Sequence, residues 1–68
     1  MNQKIHIFLP SYNEELNLPR LLSRIDSFAQ QVPYWKVKVL VINDGSKDNT
    51  LSVAQNFQTK IEKEVVNL

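Results

Sequence analysis

Apolar residues fall into two kinds of pattern along the chain. Lys4–Leu9 (KIHIFL) and Val37–Ile42 (VKVLVI) are short runs dense in Ile, Val, Leu and Phe, closed by Pro10-Ser11 and by Asn43-Asp44-Gly45. Runs of this length and composition predict strands, and their near-continuous apolar character predicts burial on both faces, as in a parallel sheet flanked by helices. His6 is the polar interruption of the first run and reads as a packed side chain. Between the runs, Leu18, Leu21, Leu22, Ile25, Phe28 and Ala29 recur with the spacing of one apolar helical stripe. Asn17 is the expected N-cap, Pro19 falls in the first turn where a missing N–H is harmless, and Val32-Pro33 ends the helix.

The second half repeats the alternation. Asn43–Asn49 (NDGSKDN) is a turn holding the only glycine, and Thr50–Lys60 reads as a helix with Val53, Ala54 and Phe57 on one face, joined by Ile61 just beyond it. Asp48 or Asn49 is its expected cap. Glu64–Leu68 (EVVNL) predicts a third strand. The order β-α-β-α-β implies an α/β fold with a parallel sheet and right-handed crossovers. Three strands and two helices make half of a doubly wound sheet, so the expectation is an incomplete domain that leaves an edge strand without a neighbour.

Composition narrows the classes. The chain has 68 residues, 43% hydrophobic and 22% charged, a globular balance, but the length is small for a whole enzyme domain. It has no Cys, which excludes a disulfide scaffold, thiolate catalysis and thiolate zinc sites, and one His cannot build a zinc cluster. A net charge of +1 gives no basic field of the kind nucleic-acid binders use. No apolar run approaches the ~20 residues of a membrane span. Met1-Asn2-Gln3-Lys4 leads straight into the first strand, so no cleaved leader is expected, and the lack of Cys fits the cytosol.

In open parallel sheets ligands bind beyond the carboxyl ends of the strands. Two loops empty there, Pro10–Glu15 (PSYNEE) and Asn43–Ser46 (NDGS), and polar and aromatic residues concentrate in them. The first loop has no glycine and two carboxylates, so it cannot cradle a phosphate as a dinucleotide or Walker-type loop does. It offers a tyrosine ring for stacking and carboxylates for hydroxyl or N–H groups, and Asp44 can accept two such bonds. Each feature has a plainer reading. Asp44 before Gly45 is ordinary turn chemistry, Glu14 and Glu15 favour the start of the next helix, Tyr34-Trp35 packs a helix–strand corner, and Lys36 and Lys38 are solvated strand-end charges.

The stretches IFLPSYNEELNLPRLLSRI (Ile7–Ile25) and KVLVINDGSKDNTLSVA (Lys38–Ala54) resemble the amino-terminal nucleotide-binding half of family-2 glycosyltransferases, which have the GT-A (Rossmann-like) fold. Within that family the segment is most similar to enzymes that load a sugar onto a polyprenyl phosphate. The resemblance makes residues 1–68 the amino-terminal, nucleotide-sugar-binding part of a truncated transferase domain. It implies that Pro10 and Tyr12 line the base pocket, that Glu14 lies close to the nucleoside, that Asp44 hydrogen-bonds the base, and that Ile42 and Ser46 flank it. Asp48 and Thr50 match structural positions. Many relatives carry paired aspartates where this chain has Asn43-Asp44.

The same resemblance implies a nucleotide-diphosphate sugar as partner, no nucleic acid, and membrane association only through downstream sequence, with a cytoplasmic location extending to the inner face of a membrane. A divalent cation, Mg or Mn, is expected in the full-length family member. Its D-x-D ligand motif and the catalytic base are absent here, so no catalytic residue is expected in this segment. Two alternatives stand beside this reading: a truncated, non-catalytic nucleotide-binding module, and a receiver-like signalling domain, which shares the sheet order but needs paired acids after its first strand and a phospho-acceptor aspartate after a later one.

Overall fold

The computed structural model describes residues 3–68; Met1 and Asn2, with the expectation about a leader, lie outside them. Three strands, β1 (Gln3–Ser11), β2 (Trp35–Asn43) and β3 (Glu62–Asn67), form one parallel sheet in the order β1-β2-β3. Helix α1 (Leu18–Gln31) connects the first pair and α2 (Thr50–Asn56) the second. The β-α-β-α-β order is as the sequence predicts. Because strand order follows chain order, crossovers of one hand lay both helices on the same face of the sheet.

That arrangement overturns the expectation of burial on both faces. Val37, Val39 and Val41 are buried, whereas Lys38, Leu40 and Ile42 between them are half-buried. The core is Leu18, Leu22, Val39, Val41 and Ala54, extended by partly buried Ile7, Leu9, Ile25, Val53, Phe57, Ile61 and Val65. Among the described residues no helix lies over the opposite face. His6 is exposed there and not packed, and Phe8 is 60% exposed. Period-two geometry puts the even-numbered residues of β1 and β2 on this face whatever their polarity. Lys36 and Lys38 are not simply solvated: they reach across to β3 and pair with Glu62 at 2.9 Å and Glu64 at 3.2 Å. Tyr34 is 84% exposed, so it does not pack a corner.

Three local expectations also shift. Asn17 precedes α1 without a side-chain cap; its amide Nδ2 donates to Glu14 Oε2 at 3.3 Å. Helix α2 stops at Asn56, four residues short of Lys60, because Phe57 turns to extended backbone. The carbonyls of Ala54, Gln55 and Phe57 then accept hydrogen bonds from Lys63 Nζ at 2.5, 3.2 and 2.6 Å. Strand β3 starts at Glu62, earlier than Glu64, and that register creates both ion pairs.

Candidate functional site

At the carboxyl end of the sheet, Ser11, Asn43 and Asn67 stand in register on the three strands. The tip of β2 is pinned on both sides: Asp44 N–H donates to the Ser11 carbonyl at 3.0 Å, and Leu68 N–H donates to the Asn43 carbonyl at 2.9 Å. Ser11 and Asn43 are buried. Asn43 Nδ2 donates to Asn67 Oδ1 at 2.9 Å, and Asn43 Oδ1 is buried without a partner. A carboxylate at this depth would be an unpaired buried charge, which is why an amide suits the position in this chain.

The two loops beyond the strands are joined. Asn13 takes a left-handed conformation, φ 51°, donates its N–H to Ser46 Oγ at 2.9 Å, and accepts the Lys47 N–H on Oδ1 at 2.8 Å. Glu14 N–H donates to Thr50 Oγ1 at 2.8 Å, and Glu15 N–H to Asp48 Oδ2 at 3.4 Å. Asp48 Oδ1 accepts the Thr50 N–H at 2.9 Å and also the Thr50 hydroxyl. The Thr50 hydroxyl bond, more than the backbone bonds, holds the Asp48 carboxyl below its ordinary pKa of 3.8. Asp48 and Thr50 therefore order the start of α2, although Asn49 is the residue at the cap position and its side chain bonds nothing there. Gly45 sits at φ 67° with no atom within 4 Å of where a Cβ would be, so backbone conformation and not space calls for glycine.

The residues singled out from sequence take definite places. Pro10 and Ile42 are register partners at the top of the uncovered face. Tyr12 is 55% exposed in the first loop. Glu14 is half-buried beside a shallow depression that it lines with Asn17, Arg20, Leu21 and Arg24. Asp44 is exposed, and among the described residues no hydrogen bond or ion pair engages its carboxylate. Ser46 is half-buried, and its Oγ is an acceptor in the joint between the loops. Register and loop bonds thus bring Pro10 to Ile42 and Ser46 to the first loop, while no hydrogen bond links Tyr12, Glu14 and Asp44 to one another among the described residues.

Asn13 and Asn67 escaped the sequence reading. Asn13 had one legible signal, since asparagine tolerates positive φ better than most residues in a glycine-free loop. Nothing local marks Asn67, whose partner is set by strand register. Among the described residues no group of three or more His, Cys, Asp or Glu could hold a metal ion. Asp48 is committed to Thr50 and Glu15, and Glu14 to Asn17, which leaves the carboxylates of Asp44 and Glu15 in the two loops, too few grouped donors to fit a divalent cation. The acids also do not assemble as a receiver-type phosphorylation site requires. No described helix is long and apolar enough to cross a membrane.

Comparison with known proteins identifies the family. The model of the family described as Glycosyl transferase family 2 matches residues 6–67. A dolichyl-phosphate beta-glucosyltransferase of Drosophila melanogaster is 35% identical over 96% of this chain and 21% of its own length. A dolichol-phosphate mannosyltransferase of Pyrococcus furiosus is 36% identical over 93% of this chain and 17% of its own. An undecaprenyl-phosphate 4-deoxy-4-formamido-L-arabinose transferase of Pseudomonas fluorescens is 31% identical over 94% and 19%. The chain spans about a fifth of the length of these relatives. No solved structure matches it.

Proposed function

The chain belongs to glycosyl transferase family 2, and we propose that its two joined loops recognise the nucleoside part of a nucleotide-diphosphate sugar, as one portion of an enzyme that transfers the sugar to a polyprenyl phosphate. The observation that carries this reading is Asp44: an exposed carboxylate at the tip of a central parallel strand, engaged by no side chain or backbone group among the described residues. The carboxyl end of such a sheet is where ligands sit, and a free carboxylate there can accept hydrogen bonds from a base. In this reading Tyr12, in the neighbouring loop, offers a ring face for stacking, Pro10 and Ile42 an apolar surface, and Glu14 and Ser46 further polar groups. In this reading the segment contributes positioning, which removes orientational freedom from the donor, and no proton transfer.

Family 2 glycosyltransferases generally use divalent cations, but the donor set described above does not fit one, and no residue here is assigned to it. The polyprenyl-phosphate acceptor is supported by the names of the relatives. With that acceptor, the reading is of an enzyme that works at the cytoplasmic side of a membrane. Titration of the 68-residue chain with UDP and with GDP, followed by proton–nitrogen NMR, tests the proposal. Shifts should cluster at Tyr12, Asp44 and Gly45, and Asp44→Ala should weaken binding about tenfold or more. Binding that is undiminished by Asp44→Ala, or no binding of either nucleotide, would sink it. Binding without turnover of the sugar donor would leave this chain a recognition module by itself.

A further inference from the structure

We propose that Asn13 is a positioning residue that couples the first loop to the Asp44–Lys47 turn, so that Tyr12 and Asp44 take their mutual placement from it. The inference deepens the nucleoside reading and rests on it for its functional meaning. Two bonds of opposite sense converge on this one residue. Its N–H donates to Ser46 Oγ at 2.9 Å, and its Oδ1 accepts the Lys47 N–H at 2.8 Å, over 33 and 34 positions of sequence. The Lys47 N–H can only donate, which fixes the side-chain oxygen as the atom facing it. Asn13 is adjacent to Tyr12, and Ser46 and Lys47 follow Asp44 and Gly45, so each end of the clip lies within three residues of a group that the nucleoside reading uses.

The residue type is specific to the task. Positive φ at 51° disfavours most side chains, and asparagine combines tolerance of that backbone with a carbonyl at the end of a short side chain. Glycine would keep the backbone and lose the acceptor; aspartate would keep both. A second set of bonds separates this role from simple folding. Glu14 N–H to Thr50 Oγ1 and Glu15 N–H to Asp48 Oδ2 tie the first loop to the start of α2. Those bonds are part-buried, whereas both Asn13 bonds are exposed. Removing the Asn13 acceptor therefore frees the turn relative to the loop and leaves the loop seated on the helix.

The test compares Asn13→Gly and Asn13→Asp with the parent chain by three measurements: the urea midpoint, hydrogen exchange of the Lys47 amide, and the UDP and GDP dissociation constants. Asn13→Gly should keep a midpoint near the parent's while Lys47 exchanges about tenfold faster, the mark of a local opening. Its nucleotide affinity should fall about fivefold to tenfold. Asn13→Asp should restore protection and affinity to within about twofold. Unchanged Lys47 protection in Asn13→Gly, an aspartate variant as impaired as the glycine one, or an affinity loss that merely tracks a lowered midpoint would each overturn the proposal. If the parent chain binds neither nucleotide, the nucleoside reading fails, and the coupling itself is decided by Lys47 protection and by whether Asn13→Gly shifts the Gly45 amide.

Discussion

The backbone N–H of Glu14 donates to Oγ1 of Thr50 at 2.8 Å, across 36 positions of sequence, and Thr50 is fully buried. The same hydroxyl donates to Asp48. One side chain thus seats the first loop and orders the turn before α2. Thr50→Val keeps the shape and removes both bonds, leaving the Glu14 N–H without an acceptor. A buried donor left unpaired costs about 1–3 kcal/mol, so Thr50→Val should lower unfolding free energy by that amount, measured by urea denaturation. Thr50→Ser keeps the hydroxyl and should lose less. A loss in Thr50→Ser equal to or larger than that in Thr50→Val would mean that the methyl counts at least as much as the hydroxyl, and would refute the assignment.

Acid should loosen the same turn. The Asp48 carboxyl titrates below 3.8 in the folded chain, chiefly because the Thr50 hydroxyl bonds its charged form. A carboxylate depressed by folding stabilises the native state above its unfolded pKa, and that contribution disappears as pH falls through the lower, folded value. Stability should therefore drop below about pH 4 more steeply in the parent chain than in Asp48→Asn. Glu62 is also held below its ordinary 4.5, first by its hydrogen bond from Lys36, so Glu62→Gln is the needed comparison. Urea midpoints taken from neutral pH down to strongly acid conditions decide the matter. Parallel curves for the parent chain and Asp48→Asn would refute the assignment.

Much of this architecture was legible in the sequence because its signals are local. The stripe from Leu18 to Ala29 and the runs at Lys4–Leu9 and Val37–Ile42 fix element type by periodicity, and alternation of strand and helix fixes a parallel sheet. Burial was not legible in the same way. Leu40, Ile42 and Phe8 are as apolar as Val39 and Val41, yet only the second pair meets a helix, because topology puts both crossovers on one side. The site divides similarly. Tyr12, Asp44 and Ser46 sit in loops that composition alone marks, whereas the clip at Asn13 and the Asn43–Asn67 pair depend on register and on a fold of the loop that no spacing rule encodes.

Lys63 shows how a charged residue can end a helix. It lies on β3 opposite Val39, on the helix-bearing face, and its Nζ donates to the carbonyls of Ala54, Gln55 and Phe57. Burial pushes its pKa below the ordinary 10.5, so the bonds to carbonyls offset a desolvation cost. They also satisfy acceptors that the last turn of α2 leaves open. Lys63→Met retains the apolar stem and removes the donors. It should destabilise the chain by about 1–2 kcal/mol and raise amide exchange in α2 before exchange in α1. Uniform loss of protection across both helices would show a general effect in place of a cap.

The uncovered face yields the last prediction. Leu22 is 2% exposed within the core, while Phe8, a larger side chain, is 60% exposed on the opposite face. If burial follows topology and not hydrophobicity, truncation of the larger residue should matter less. Leu22→Ala removes buried methyl groups and opens a cavity, which costs about 2–5 kcal/mol and is enough to unfold a chain of marginal stability. Phe8→Ala removes area already facing solvent, and an exposed substitution of this kind changes stability by about 0.5 kcal/mol or less. Its half-buried register partner Leu40 raises that figure only as far as the two side chains meet. Urea denaturation of the two variants side by side gives the ratio. A Phe8→Ala loss equal to that of Leu22→Ala would mean that the second face of the sheet is covered in solution.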